Sequence, residues 1–287
     1  MISRVHISWA LARLDPATLA QLDRIANVRS RHELSCTYSS EDSDPAAAEI
    51  ESIIRAAGVR TLQEVGDYRQ PHYVVSRFRV WEESDLDRSE YLQISIPFSL
   101  DNISGFVEED TSEVLCVEAK DLRKLRNGFG GGPETLLCPD RTKRRLEAGS
   151  FLHLDFAPVK VMERSSSEGG LFRPVEGHQP WWQLRSDLVL PPMSPAIQRI
   201  DPRTGNELPR EHEVHVTFRE PPFDDFQPRY LRSDWDRVPK FDVAGSRERL
   251  LGGNVYHRML IVSNRFYQFC KQEGWEADWV PVRIDPE

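Results

Sequence analysis

Apolar residues recur along the first hundred positions with two different periods. Behind Asp15-Pro16, Leu19, Leu22 and Ile25 are spaced as on one helical face, with Asp as the cap and Pro at the first helical position. Asp44-Pro45 repeats that start; Ala48, Ile50, Ile53, Ile54 and Ala57 form the stripe, and Gly58 stops it. Strands are expected over 2–8, 33–38, 73–81, 91–97 and 111–117, where short apolar or alternating runs stand between polar breaks. The acidic stretch 82–90 reads as a turn. Helices come early, strands accumulate after them, and no strand–helix–strand rhythm persists. The pattern predicts an α+β fold with mixed or antiparallel sheets and flanking helices, not a doubly wound parallel sheet.

Beyond residue 100 the punctuation thickens. Gly128-Phe129-Gly130-Gly131-Gly132-Pro133 reads as a loop. Ser165 to Ser167, Gly169-Gly170 and Pro174 mark 162–180 as a linker or long surface loop. A second irregular region, 190–225, holds seven prolines, and inside it Glu213 to Phe218 alternates like an edge strand.

One internal likeness organises this half of the chain. Leu136-Leu137-Cys138-Pro139-Asp140-Arg141 resembles Leu260-Ile261-Val262-Ser263-Asn264-Arg265. Matching Gly149 to Gly274 takes one gap, and two more residues align Ala157-Pro158-Val159-Lys160-Val161 with Val280-Pro281-Val282-Arg283-Ile284. Each copy reads as strand, helix, glycine stop and extended segment. The later helix is the better one: Ser263 can cap it, and Phe266, Phe269 and Cys270 share a face. The earlier one carries Arg-Thr-Lys-Arg-Arg over 141–145, with Leu146 as its clear apolar position. The expected organisation is two related lobes, 1–162 and 163–287, or one elongated domain. Whether 136–161 and 260–284 are a true duplication is left open at this level.

Charge sharpens the picture. The net charge is −9, which disfavours nonspecific nucleic-acid binding by phosphate neutralisation. The charges are also blocked. Residues 101–118 hold six carboxylates and no Lys or Arg, whereas 120–145 hold eight Lys or Arg against three acids. No window approaches the roughly 18 apolar residues of a membrane helix. The N-terminus lacks the apolar core of a secretory signal, and the four Cys include no CxxC pair. A soluble, cytoplasmic protein is expected.

Catalytic chemistry finds little purchase. The glycine run ends in Pro133-Glu134 where a phosphate loop needs Lys-Ser/Thr. His212-Glu213-Val214-His215 lacks zinc-peptidase spacing, and on a strand its two imidazoles would point to opposite faces. His153 and Asp155 would share a face if 151–156 were a strand, which could orient a base, but no nucleophile stands in a recognisable context. Trp181-Trp182 reads as core or interface packing. No catalytic residue, metal ligand or cofactor is assigned. The candidate partner-binding residues are the acidic and aromatic Glu108, Glu109, Asp110, Glu113, Asp224, Asp225 and Trp235, since carboxylates steer basic partners and aromatics anchor interfaces.

The segment Arg258-Met259-Leu260-Ile261-Val262-Ser263-Asn264-Arg265-Phe266, with Phe269, Gly274 and Val280-Pro281-Val282, resembles the C-terminal segment of bacterial immunity-protein-like families of polymorphic toxin systems. The related double-CxxCG proteins have a similar tail, but their CxxCG motifs are absent here, so no zinc is carried over. The resemblance covers about a tenth of the chain, with a looser likeness from Trp181 to Pro195. It implies a cytoplasmic binding protein that neutralises a cognate toxin by covering its active surface. The alternative is a hydrolase or nucleotide-processing enzyme built on His153, Asp155 or the His212 region; a third possibility is a scaffold with Trp181-Trp182 at a subunit contact. Oligomeric state is left open.

Overall fold

The structure, a computed structural model, describes residues 1–10, 14–25, 30–31, 35–61, 64, 72–95, 103–107, 113–122, 128–132, 135–164, 172–201, 204–210, 212–213, 216–221, 223, 225–252 and 255–286. It is an α+β chain of several mixed and antiparallel sheets with helices against them. Two compact units form, one from 1–82 with 220–226 and one from 83–219 with 227–287.

The first unit contains β1 (Ile2–Ala10), α1 (Pro16–Ile25), β2 (Ser30–Arg31), β3 (Ser35–Glu41), α2 (Pro45–Ala56), β4 (Arg60–Thr61) and β5 (His72–Val80). Its sheet runs β2-β3-β1-β5-β4. Both Asp-Pro starts are real caps: the Asp15 carboxylate accepts from the Ala17 and Thr18 amides, and that of Asp44 from Ala46. The expected stripe is buried at Ile50 and Ile54, against Val5, Ile7, Trp9 and Tyr73 of the sheet.

The second unit holds α3 (Glu83–Arg88), β6 (Tyr91–Ser95), β7 (Ile103–Val107), β8 (Glu113–Glu118), α4 (Ala119–Leu122), β9 (Gly130–Gly132), β10 (Thr135–Pro139), α5 (Asp140–Ala148), β11 (Leu154–Arg164) and β12 (Phe172–Pro174). It continues through β13 (Trp181–Ser186), β14 (Gln198–Ile200), β15 (Thr217–Arg219), β16 (Arg229–Leu231), α6 (Arg232–Trp235), β17 (Val243–Gly252), β18 (Val255–Ser263), α7 (Asn264–Gln272), β19 (Asp278–Pro281) and β20 (Arg283–Asp285).

The internal likeness of sequence is a likeness of fold. One sheet contains the run β9-β10-β13-β11, extended by β8, β7 and β12; the other is β17-β18-β6-β19. In both, a strand–helix–strand segment straddles a central antiparallel strand. The register is also the same. Cys138, Trp182 and Pro158 lie abreast in the first copy, as Val262, Leu92 and Pro281 do in the second. Gly131 faces Leu136 as Gly245 faces Leu260. The first helical amide bonds to the carbonyl just before the central strand in each: Asp140 to Pro180 at 3.2 Å, Asn264 to Glu90 at 2.9 Å. The central strands themselves match as Trp181-Trp182-Gln183-Leu184 and Tyr91-Leu92-Gln93-Ile94. Equivalent side chains meet in one core: Leu136 with Leu260, Cys138 with Val262, Leu146 with Cys270, and Leu184 with Ile94.

Several expectations change. The boundary expected at 162 falls inside β11, whose first half pairs with β13 and whose second half pairs with β8 and β12, so hydrogen bonds cross it on both sides. Gly149 does not match Gly274. The left-handed residue after α5 is Ser150 (φ +50°), and Gly274 (φ +67°) stands at that place after α7. That match leaves a single one-residue difference between the copies, placed after the turn. The acidic stretch 82–90 contains helix α3, with Glu83 and Asp85 in its first turn and Arg88 in its last, a polarity that suits the helix dipole. Part of the glycine run is strand β9. The linker region contributes β12, and 165–171 lie outside the described residues.

Candidate functional site

The two equivalent helices start from one framework and diverge on the surface. Ser263 caps α7 by accepting from the Phe266 amide at 3.3 Å; Pro139 stands at that place before α5 and has no side-chain acceptor. Helix α7 buries Phe266, Tyr267 and Cys270, while α5 buries Thr142 and Leu146. Four of the remaining positions of α5 are cationic: Arg141, Lys143, Arg144 and Arg145. Arg141, Arg144 and Arg145 open onto a cleft of about 750 Å³ that is also lined by Asp140, Pro180, Glu273 and Trp275.

This cleft is rigidly framed. Trp275 packs edge-on against Phe129 and Phe269, with centroids 5.2 and 5.6 Å away. Its side chain lies so close over Gly128 (φ +79°) that a Cβ there would come within 2.4 Å of the indole, so only glycine fits. On the other wall the Asp140 carboxylate accepts from Trp182 Nε1 at 3.2 Å and pairs with Arg144 at 2.6 Å. Lys143 is withdrawn from the cleft, bonded to Glu147 at 2.6 Å and lying 4.5 Å from the Trp182 ring centroid. Arg145 pairs with Glu273 at the end of α7, and its guanidinium holds that carboxyl below the usual range. The Arg144 and Arg145 side chains stay largely in solvent, 77% and 60% exposed. Chemically the cleft offers guanidinium forks beside an aromatic wall, which suits recognition of planar anions.

The positions in α7 that correspond to the three arginines are occupied. Arg265 bonds to Asp242 at 2.7 Å and to the carbonyls of Gly149 and Ser150. Gln268 bonds to Asp87, and Phe269 packs on Phe151 and Trp275.

The sequence-derived candidates fare differently. Glu108, Glu109, Asp110 and Asp224 lie outside the described residues. Glu113 opens β8. Asp225 is turned inward within the first unit. It accepts from the Arg79 backbone at 3.1 Å and pairs with its guanidinium, which also stacks on Phe223 at 3.9 Å and pairs with Glu220. Burial raises the Asp225 carboxyl above the usual range against the pull of Arg79. Trp235 is 8% exposed and sits in an aromatic cluster with Tyr91, Tyr230 and Phe241, so it is a core residue and not a surface anchor.

His153 does not share a strand face with Asp155. Its φ of +63° places it before β11, and its Nδ1 lies 2.9 Å from Asp187 instead. The turn that carries it is tied down by Asp242, which accepts from the Leu152 amide and the Ser263 hydroxyl. His212 precedes Glu213, which pairs with Arg247; His215 is outside the described residues. Of the tandem tryptophans, Trp181 is buried and Trp182 faces Lys143 and Asp140. Cys116, Cys138 and Cys270 are buried thiols, and burial pushes each of them up. Among the described residues no group of three or more His, Cys, Asp or Glu could hold a metal ion, and no helix is long and apolar enough to cross a membrane.

Arg141, Arg144, Arg145 and Trp275 were missed as site residues. A partial signal was present: the earlier repeat helix puts Arg145 where its counterpart packs Phe269, and Arg144 where its counterpart has Gln268. Compared with protein-family models, curated proteins and solved structures, the chain matches none of them.

Proposed function

We propose that the chain is a cytoplasmic immunity-type binding protein that neutralises a cognate bacterial toxin domain by covering its active surface. The observation that carries this reading is the tail. The residues that resemble those families form one packed piece: strand β18, the Ser263 cap, α7 with Phe266 and Cys270 in the core, left-handed Gly274, and β19 ending at Pro281. The net charge of −9 supports it from a second side, because a negative field speeds encounter with a basic toxin. Expression of the neighbouring upstream gene with and without this chain tests it. Growth rescue and a co-purifying partner are the expected results; absence of both overturns the reading.

A second reading, a His-based hydrolase, is favoured by the His153–Asp187 pair, since a carboxylate on Nδ1 orients Nε2 as a base. Hydrolysis of a generic ester or phosphoester panel, lost in His153→Ala, would support it. An unchanged rate in that variant would remove it.

A further inference from the structure

Strands β17 and β18 set Arg249 directly opposite Arg258, so both side chains stand on one face of the sheet, where like charges repel. We propose, independently of the partner reading, that this pair is a binding site for a phosphoryl dianion, free or carried as a phosphomonoester.

An irregularity in the sheet builds the site. The β17–β18 register shifts between Gly245 and Arg249, and within that bulge the Ser246 and Arg247 carbonyls accept from Arg258 Nη1 at 2.7 and 2.6 Å. Gly245 leaves room for the Arg258 stem, since a Cβ there would lie 3.1 Å from Arg258 Cδ. One nitrogen of the fork is thus pinned, and Nε and Nη2 make no hydrogen bond among the described residues. Strand β17 is an edge strand, and the Glu213 carbonyl straps it by accepting from the Arg249 amide at 2.6 Å.

The charges of this group do not cancel. Glu213 and Glu248 are the carboxylates that face it, and each already holds another arginine: Arg247 lies 2.6 Å from Glu213, and buried Arg199 lies 2.9 Å from Glu248. Among the described residues neither Arg249 nor Arg258 forms an ion pair, so two guanidinium charges are left over. Burial, and next the charge of Arg249, draw the Arg258 guanidinium below its ordinary value, against the opposing pull of Glu213 and Glu248. An anion beside the pair would offset that repulsion. Two surplus charges match a dianion, and two forks can share the three terminal oxygens of a phosphoryl group, whereas a carboxylate answers only one. Both arginines are half-buried, where such contacts are worth more than in open solvent.

The test is calorimetric titration of the full chain at about pH 8, where phosphoryl groups approach two charges, with ionic strength held constant by chloride. The probes are inorganic phosphate, N-acetyl-Gly-phosphoserine-Gly-amide and dimethyl phosphate, a diester of one charge. Saturable binding of either dianion is expected, and the tighter of the two names its source. Dimethyl phosphate should bind about tenfold more weakly, the loss of one charge-assisted contact. Arg249→Gln should weaken the dianions by about tenfold as well and, because it removes a repulsion, leave Tm without phosphate unchanged or raised. Arg24→Gln, an exposed position in the first unit, should alter neither quantity. No saturable binding, equal binding of dimethyl phosphate, or undiminished binding by Arg249→Gln overturns the proposal. So does a lowered Tm in that variant without phosphate, because Arg249 would then be a stabilising contact of the fold. None of these outcomes bears on growth rescue, which tests the partner reading alone.

Discussion

Segments 136–161 and 260–284 build the same four-strand arrangement in the same register, yet they use it differently. Around α7 nearly every position is given to packing, caps and ties. Around α5 the core contribution shrinks to Thr142 and Leu146, and the surface carries arginines over a cleft. The central strands add a further asymmetry. Strand β6 precedes both segments in the chain but completes the second; β13 lies between them and completes the first. Each segment therefore depends on a central strand that lies outside the segment itself. A shared framework held this way can let one copy carry stability while the other is released to vary, which is how site and scaffold come to differ on one topology.

The largest test of that division compares equivalent core positions. Phe266 is fully buried and packs on Phe151, so Phe266→Ala is expected to cost about 3–5 kcal/mol. At the matching site, Thr142→Ala removes a buried hydroxyl and methyl and should cost only about 1 kcal/mol. Urea unfolding of both variants decides the matter, and equal losses would break the claim that α7 carries the load. Asp242 comes next, because it ties the copies together by accepting from Ser263, Arg265 and the Leu152 amide. Asp242→Ala should cost about 2–4 kcal/mol and loosen both turns at once, seen as faster hydrogen exchange at Leu152 and at Phe266. Loss of protection at one site alone would mean the copies are held independently.

The tail beyond the shared unit can be probed by pH. Arg229 clasps Asp285 with two bonds of 2.9 Å across the β16–β20 pair. Burial raises the Asp285 carboxyl, but the hydrogen bond and charge of Arg229, with Arg283, outweigh it and leave the folded value below the ordinary one. The stabilisation is therefore complete above the unfolded value of about 3.9 and is lost only as pH falls through the lower folded value. Asp285→Asn should cost about 2–3 kcal/mol at neutral pH, with the gap to wild type closing only below about pH 4. A constant gap from pH 7 to pH 2 would show that the charge plays no part.

Much of this was legible in the chain and some could not be. The helix starts at Asp15-Pro16 and Asp44-Pro45 are local chemistry, so they read directly. The repeat was visible because Leu136, Pro158 and their counterparts meet the same strand register. What stayed hidden was non-local. Nothing near Trp235 announces Tyr91 or Phe241 as neighbours, and an acidic–aromatic stretch looks alike whether it faces solvent or, like Asp225, an arginine 146 residues away. The cleft needed Trp275 from one copy set beside arginines from the other. Segment boundaries failed for a different reason: β11 runs straight through 162, and a strand's pairing on both edges leaves no composition signal.

The smallest effect tests the corrected alignment itself. If Ser150 and Gly274 occupy one structural position, each a left-handed residue after its helix, then opposite substitutions should have opposite signs. A methyl group at Gly274 would meet open space, with nothing within 4 Å, so Gly274→Ala costs only the backbone penalty, about 1 kcal/mol. Ser150→Gly relieves that same penalty but adds unfolded-chain freedom, leaving a gain of about 0.5 kcal/mol. Both shifts are resolvable by thermal unfolding of paired variants. A loss in Ser150→Gly would mean that Ser150 holds its left-handed place by a contact of its own, and that the two turns, though aligned in register, are not the same turn.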